Sequence, residues 1–245
     1  MGDHGSRFTE IRKTSQGKLE ERMPYFAFRF PPGFAEKYPE ALKNFKLNRH
    51  RLTTPFDIHQ TFHDVLNFTG AATGSRSHRG ISLFNEIPKD RTCADADIEP
   101  HWCACLHWKE AKVTEYHSAA KAVVSYLNDA TRNVREMCAY LTLKSVTRVS
   151  VVSPNEQVLR FKASKDTHGD VPDLSDTMTT DLEYIRVTLV TTPGDGHFEV
   201  TVKHSIPSDT YDVTERGVSR INRYGDDPQC IAHKFPHLRQ YCYCL

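Results

Sequence analysis

A chain of 245 residues, 38% hydrophobic and 10% aromatic, can bury a sizeable core as one large domain or two modest ones. Its 32 Lys and Arg offset 31 Asp and Glu, so no overall field draws it onto nucleic acid or an anionic membrane, and neither partner is expected. No apolar run approaches the roughly 20 residues that span a bilayer, and "MGDHGSRFTEIRK" lacks an apolar signal core, which on its face describes a cytosolic chain.

In chain order, the first feature is Asp3-His4-Gly5. An acid and an imidazole side by side can serve one metal ion only if the backbone turns sharply there, and an oxygen with a nitrogen donor suits zinc, manganese or iron. The charged cluster "GKLEER" follows, in which Lys18 or Arg22 could hold an anion. "MPYFAFRF" then reads as a buried sheet strand, stopped by Pro31-Pro32. "GFAEKYPEALKNFKLNRHRL" reads as short helical pieces. "TTPFDIHQTFHDVLNF" reads as a helix with Thr54 as N-cap, Pro55 at the first helical position and Asp57 in the first turn. Phe56, Thr61, Phe62, Val65 and Leu66 supply its apolar side. His59 and His63 have a metal-like i,i+4 spacing without the Glu of H-E-x-x-H, so they read as a surface or capping pair. The Gly/Ser/Thr-rich link "TGAATGSRSHRG" leads to "ISLFNEIP", and the composition places a domain boundary at 80–92, dividing the chain into 1–90 and 91–245.

The later part has a different texture. Apolar residues at 119, 122, 123, 126, 127, 134, 137 and 138 follow the helical period, so 115–140 is expected to be the longest helix. "SVTRVSVV", "VLRFKAS", "YIRVTLVTT" and "HFEVTVKHSI" alternate as strands, joined by turns at 153–155 and 193–196, with 192–197 as a hairpin tip. One helix on an antiparallel sheet makes an α+β unit.

The cysteines argue against the cytosol. Cys93, Cys103, Cys105, Cys138, Cys230, Cys242 and Cys244 all lie in the later part, five of them in the clusters "TCADADIEPHWCAC" and "YCYCL". Zinc sites space their cysteines as C-x₂₋₄-C, and C-x-C is tighter, so disulfides are the favoured reading, with zinc as the competitor and one thiol left over by the odd count. The sequon Asn67-Phe68-Thr69 makes Asn67 a glycosylation candidate and agrees with a secretory route.

The ordered series "MGDHGSRF", "GKLEERMPYFAF", "RLTTPFDIHQTFHDVL", "GISLFNEIP", "CADADIEPHWCAC", "RINRYGDDPQC" and "YCYCL" resembles the C-terminal half of a family of uncharacterised secreted proteins, abundant in nematodes and insects, within the alkaline phosphatase and sulfatase superfamily. The resemblance implies an α/β fold, the C-terminal part of an alkaline-phosphatase-like core followed by a Cys-rich α+β subdomain. It implies Asp3 and His4 as metal ligands and Lys18 as a substrate-binding residue, with the helix at Thr54 and "GISLF" as structural markers. The implied cofactor is a divalent metal (zinc, manganese or calcium) in a longer parent protein. The parent would be a metal-dependent hydrolase of phosphate or sulfate esters, its substrate open, in the extracellular space or the secretory lumen. The superfamily's nucleophile and first metal-binding acids belong to an N-terminal half with no counterpart in these residues. The expectation is therefore a fragment that has no catalytic residue of its own, lacks the first strands of its sheet, binds no metal stably and needs that missing half as its partner. The alternative is a non-catalytic extracellular binding module that has kept the fold.

Overall fold

A computed structural model describes residues 1–66, 68–70, 79–152, 161–163, 170–172 and 182–245. The chain is a mixed α/β protein that divides into two compact units. The first comprises residues 1–5 and 16–105, the second 6–15 and 106–245.

In the first unit the helices are α1 (Ser15–Arg22), α2 (Phe34–Lys37), α3 (Pro39–Leu47) and α4 (Pro55–Leu66). Thr54 caps α4 as the sequence predicts. Its hydroxyl accepts from the Phe56 and Asp57 N–H groups at 3.2 and 3.4 Å, and Asp57 accepts in return from the Thr54 N–H at 2.6 Å, a capping box with Asp in the Glu position. The buried side of α4, however, is polar: Asp57, Gln60, Thr61 and Asp64 face inward, while Phe56, Phe62, Val65 and Leu66 are exposed. The inversion has a cause. Segment 80–91 runs across the unit without regular structure, so its peptide groups need side-chain partners. Asp57 accepts from the Ile81 N–H at 2.7 Å, and Thr61 accepts from Leu83 N–H at 2.8 Å. Asn48 accepts from Ile87 N–H at 2.9 Å and donates to the Leu83 and Asn85 carbonyls at 3.0 and 2.7 Å.

The expected strand "MPYFAFRF" belongs to no sheet among the described residues. Tyr25–Phe30 nevertheless keeps a period of two: Phe26, Phe28 and Phe30 are half-buried, whereas Tyr25, Ala27 and Arg29 are exposed. The inner rings join an aromatic cluster, Phe28 and Phe30 standing edge-on to Phe45 at 5.0 and 4.9 Å and Phe30 stacking on Phe34 at 4.6 Å.

The second unit is a five-stranded antiparallel sheet, order β1-β2-β5-β6-β7, from β1 (Trp108–Ala111), β2 (Thr142–Val152), β5 (Leu182–Thr192), β6 (His197–Ser205) and β7 (Thr210–Arg220). β3 (Phe161–Ala163) and β4 (Asp170–Pro172) pair separately from the main sheet; Phe161–Ala163 is the only described part of "VLRFKAS", and the expected turn at 153–155 lies outside the described residues. Helix α5 (His117–Ala130) covers one face, burying Ala119, Ala120, Val123 and Leu127 against Val149, Ile185, Val187, Phe198 and Val200. It ends ten residues earlier than the periodicity predicts. The Asn128 amide bridges both the N–H and the carbonyl of Leu141 at 2.8 Å, and Arg135 donates to the Asn128 carbonyl at 2.6 Å, so the chain folds back there. The hairpin tip at 192–197 is present, with Gly194 at φ 84°; a Cβ there would meet the Tyr243 ring at 2.2 Å, a second reason for glycine.

The division at Cys105 differs from the expected boundary at 80–92. Segment 80–91 is tied to Asn48, just beyond α3, and to α4 by the bonds above, and the Cys93–Cys103 disulfide closes a loop that continues the same unit.

Candidate functional site

The Asp3-His4-Gly5 turn rests on the C-terminal end of α1. The Gly5 N–H donates to the Glu21 carbonyl at 3.3 Å, and the Gly2 N–H donates to the Tyr25 carbonyl at 3.0 Å. A Cβ on Gly5 would stand 2.5 Å from the Glu20 carbonyl oxygen, so only glycine allows this approach. The turn leaves the two side chains together, His4 Nε2 lying 3.6 Å from Asp3 Oδ2, with exposures of 38% and 86%. His4 Nδ1 is 2.7 Å from the Gly5 carbonyl, which can only accept, so this nitrogen donates, and Nε2 is the ring nitrogen that faces the carboxylate. A backbone carbonyl holding the far nitrogen of an imidazole is the usual support of a metal-binding histidine. A nitrogen and an oxygen this far apart, each about 2.0–2.2 Å from one cation, would span one edge of a tetrahedral site and supply two of its four ligands. Lys18, half-exposed, sits on α1 one turn before Glu21.

The other candidates separate from this turn in kind. Cys93–Cys103, Cys138–Cys242 and Cys230–Cys244 are disulfides, and Cys105 is the exposed thiol left over. Sulfurs in disulfides cannot serve as thiolate ligands, which removes the zinc reading of the two cysteine clusters. Asn67 lies outside the described residues. His59 is exposed and His63 half-buried, their rings edge-to-face at 4.6 Å on α4.

Two polar constellations escape sequence reasoning. On the sheet face away from α5, Glu199 of β6 accepts from Arg12 at 3.1 Å, both side chains almost wholly buried, although 187 residues separate them. At the β6–β7 turn, His204 sets Nδ1 3.4 Å from Glu183 Oε2 and Nε2 3.0 Å from Asp209 Oδ1, and stacks on Tyr211 with centroids 4.3 Å apart. The His204 hydrogen bond holds the Asp209 carboxyl below the ordinary carboxylate range. Tyr116 donates to Glu183 at 3.2 Å; burial first, then the Glu183 charge, pushes its phenol up to about 12. No short motif announces either group, because each brings together residues far apart in the sequence.

No helix among the described residues is long and apolar enough to cross a membrane. No curated protein and no solved structure matches the chain. A family model described as "Protein of unknown function (DUF229)" matches residues 1–147, which takes in the whole first unit and runs through α5 into β2. The match spans more than half of the 245 residues, and the chain belongs to the DUF229 family.

Proposed function

We propose that this chain supplies the Asp3–His4 part of a divalent metal site in a secreted hydrolase of phosphate or sulfate esters. The observation that carries the reading is the pairing of His4 Nε2 with Asp3 Oδ2 at 3.6 Å, with Nδ1 committed to the Gly5 carbonyl. Asp3 contributes a carboxylate oxygen, His4 an imidazole nitrogen, and Gly5 the close approach to α1 that keeps the two in place. Lys18, with its flexible cation, would attract the anionic ester. A bound divalent cation would supply Lewis acidity to an ester oxygen and lower the pKa of a hydroxyl nucleophile.

Two donors fill half of a tetrahedral shell, so the remaining ligands and the nucleophile would come from another segment of the parent protein. The Tyr25–Phe30 run supports such a partner: it has the alternation of a sheet strand, and a groove of about 350 Å³ lined by Phe26, Phe28, Phe45 and Leu83 lies along it. A neighbouring strand would satisfy its backbone and restore an alkaline-phosphatase-like core. Three disulfides in a 245-residue chain support the secretory lumen or the extracellular space as its location.

The test is equilibrium dialysis of the chain, and of the longest native transcript product, against Zn²⁺ and Mn²⁺, with elemental analysis and hydrolysis of aryl phosphate and aryl sulfate. Metal bound by the long product, lost in Asp3→Ala with His4→Ala, and accompanied by ester hydrolysis is the expected result. Metal content unchanged in the double variant overturns the site. Metal without hydrolysis overturns the enzyme in favour of a binding module.

A further inference from the structure

We infer that Cys93, Cys103 and Cys105 form a thiol–disulfide exchange centre in which the Cys105 thiol attacks the Cys93–Cys103 disulfide at Cys93. The Sγ atoms of all three lie within 4.8 Å of one another. Two of them are already bonded, and the third is an exposed thiol two residues beyond Cys103. A nucleophile, an electrophile and a leaving group thus occupy one place, and the exchange needs no oxidant or reductant from outside.

The surroundings hold them there. On the Cys93 side, the Asp95 carboxylate accepts from the Thr92 N–H and hydroxyl at 2.8 and 2.7 Å, and the Cys93 carbonyl accepts from the Ile98 N–H at 2.8 Å. On the other side, the Trp102 and Cys103 N–H groups share the Glu99 carbonyl at 2.9 and 3.1 Å. These bonds hold the backbone on either side of the disulfide, and Cys105 reaches its attacking position by turning about its own side chain, with no loop to close.

Burial gives the reaction its direction. Cys93 is half-buried and Cys103 only 3% exposed, so Cys93 is the sulfur an exposed nucleophile reaches. The Cys105 thiol loses its proton to water, and its thiolate forms an S–S bond with Cys93 Sγ. The Cys93–Cys103 bond breaks, its electron pair leaves on Cys103 sulfur, and that sulfur takes a proton from water. One disulfide and one thiol exist before and after. The product places its thiol at the buried position, where a neutral cysteine behaves as a small apolar side chain. The exposed cysteine becomes the bonded one. The first unit can thus carry its staple as 93–103 or as 93–105.

The decisive measurement is disulfide mapping of the full chain without reductant. Slow alkylation at pH 8 is followed by acid quench, peptic digestion and fragmentation of cross-linked peptides. Label on Cys103 together with a Cys93–Cys105 cross-link is expected; label on Cys105 alone, with Cys93–Cys103 the only cross-link from this cluster, overturns the proposal. A second arm is Cys105→Ser, which removes the attacking thiol and leaves the disulfide whole. Cys93–Cys103 as the only cross-link of this cluster, with no label on Cys103, is expected; label on Cys103 in this variant would show that its thiol is freed without Cys105 and overturns the proposal.

Discussion

Arg91 and Asp57 meet at 2.8 Å with both side chains removed from solvent, and the guanidinium also donates to the Leu52 and Arg79 carbonyls at 3.1 and 2.6 Å. One ion pair thus fastens the start of α4 to the segments on either side of it. Removing one member of a buried pair leaves a desolvated charge, at a cost of about 3–5 kcal/mol. Arg91→Leu is expected to lower the stability of the full chain by that amount in urea unfolding followed by circular dichroism. A loss under about 1 kcal/mol would show that water replaces the arginine and that the pair does not organise the unit.

The three disulfides should differ in weight. Cys138–Cys242 closes a separation of 104 residues, against 14 for Cys230–Cys244 and 10 for Cys93–Cys103. In the chain-entropy account a loop near 100 residues is worth about 4.7 kcal/mol and one near 15 about 3 kcal/mol. Cys138→Ala with Cys242→Ala should therefore lower the thermal midpoint more than Cys93→Ala with Cys103→Ala. The reverse order would place the stabilising effect in local packing.

The β6–β7 turn predicts pH dependence at both ends of the scale. The Asp209 carboxyl is held below its ordinary value chiefly by the His204 hydrogen bond, so the stability it contributes is complete above about pH 4 and is lost as pH falls through the depressed folded value. The Tyr116 phenol, pushed up to about 12 by burial and Glu183, works in the opposite sense. The unfolded chain releases that proton near pH 10, so stability falls between about pH 10 and pH 12. Asp209→Asn should flatten the acid limb of the stability profile and Tyr116→Phe the alkaline one, each leaving the other limb in place. Profiles that keep both limbs in both variants would put the titration elsewhere.

What could be read beforehand depended on how local the physics was. The cap at Thr54, the hairpin tip at 192–197 and the strands within β2, β5 and β6 are set by neighbours in sequence, and each appears in the structure. Apolar periodicity points to the wrong face of α4 because it assumes an apolar core, whereas here the helix buries Asp57 and Thr61 to satisfy the irregular backbone of 80–91. Strand β7 escapes the alternation pattern because "TYDVTERGVSR" is mostly polar, and its pairing to β6 shifts register between Val200 and Val202. At the candidate metal site Asp3 and His4 were legible as neighbours, but the proton on His4 Nδ1 depends on the Gly5 carbonyl, which the letters do not show.

The two glycines flanking Asp3 and His4 offer a contrast that isolates the turn. At Gly2 an added Cβ would meet nothing nearer than Pro24 Cβ at 3.9 Å, an ordinary contact. At Gly5 it would face the Glu20 carbonyl oxygen at 2.5 Å, the Glu20 carbonyl carbon at 2.7 Å and the Glu21 nitrogen at 2.8 Å, all backbone atoms of α1 that cannot swing aside. Gly2→Ala should therefore be silent. Gly5→Ala should lift the turn from α1 and break the Gly5 N–H bond to Glu21. A lost hydrogen bond of about 0.5–1.5 kcal/mol corresponds to roughly 2- to 12-fold faster amide exchange at that position. If the imidazole and carboxylate act together on a cation, Gly5→Ala should also weaken Zn²⁺ binding by the long product, although neither ligand is changed. Faster exchange with unaltered affinity would show that the pair keeps its geometry without α1. Unaltered exchange would mean that the helix end yields to the new methyl group.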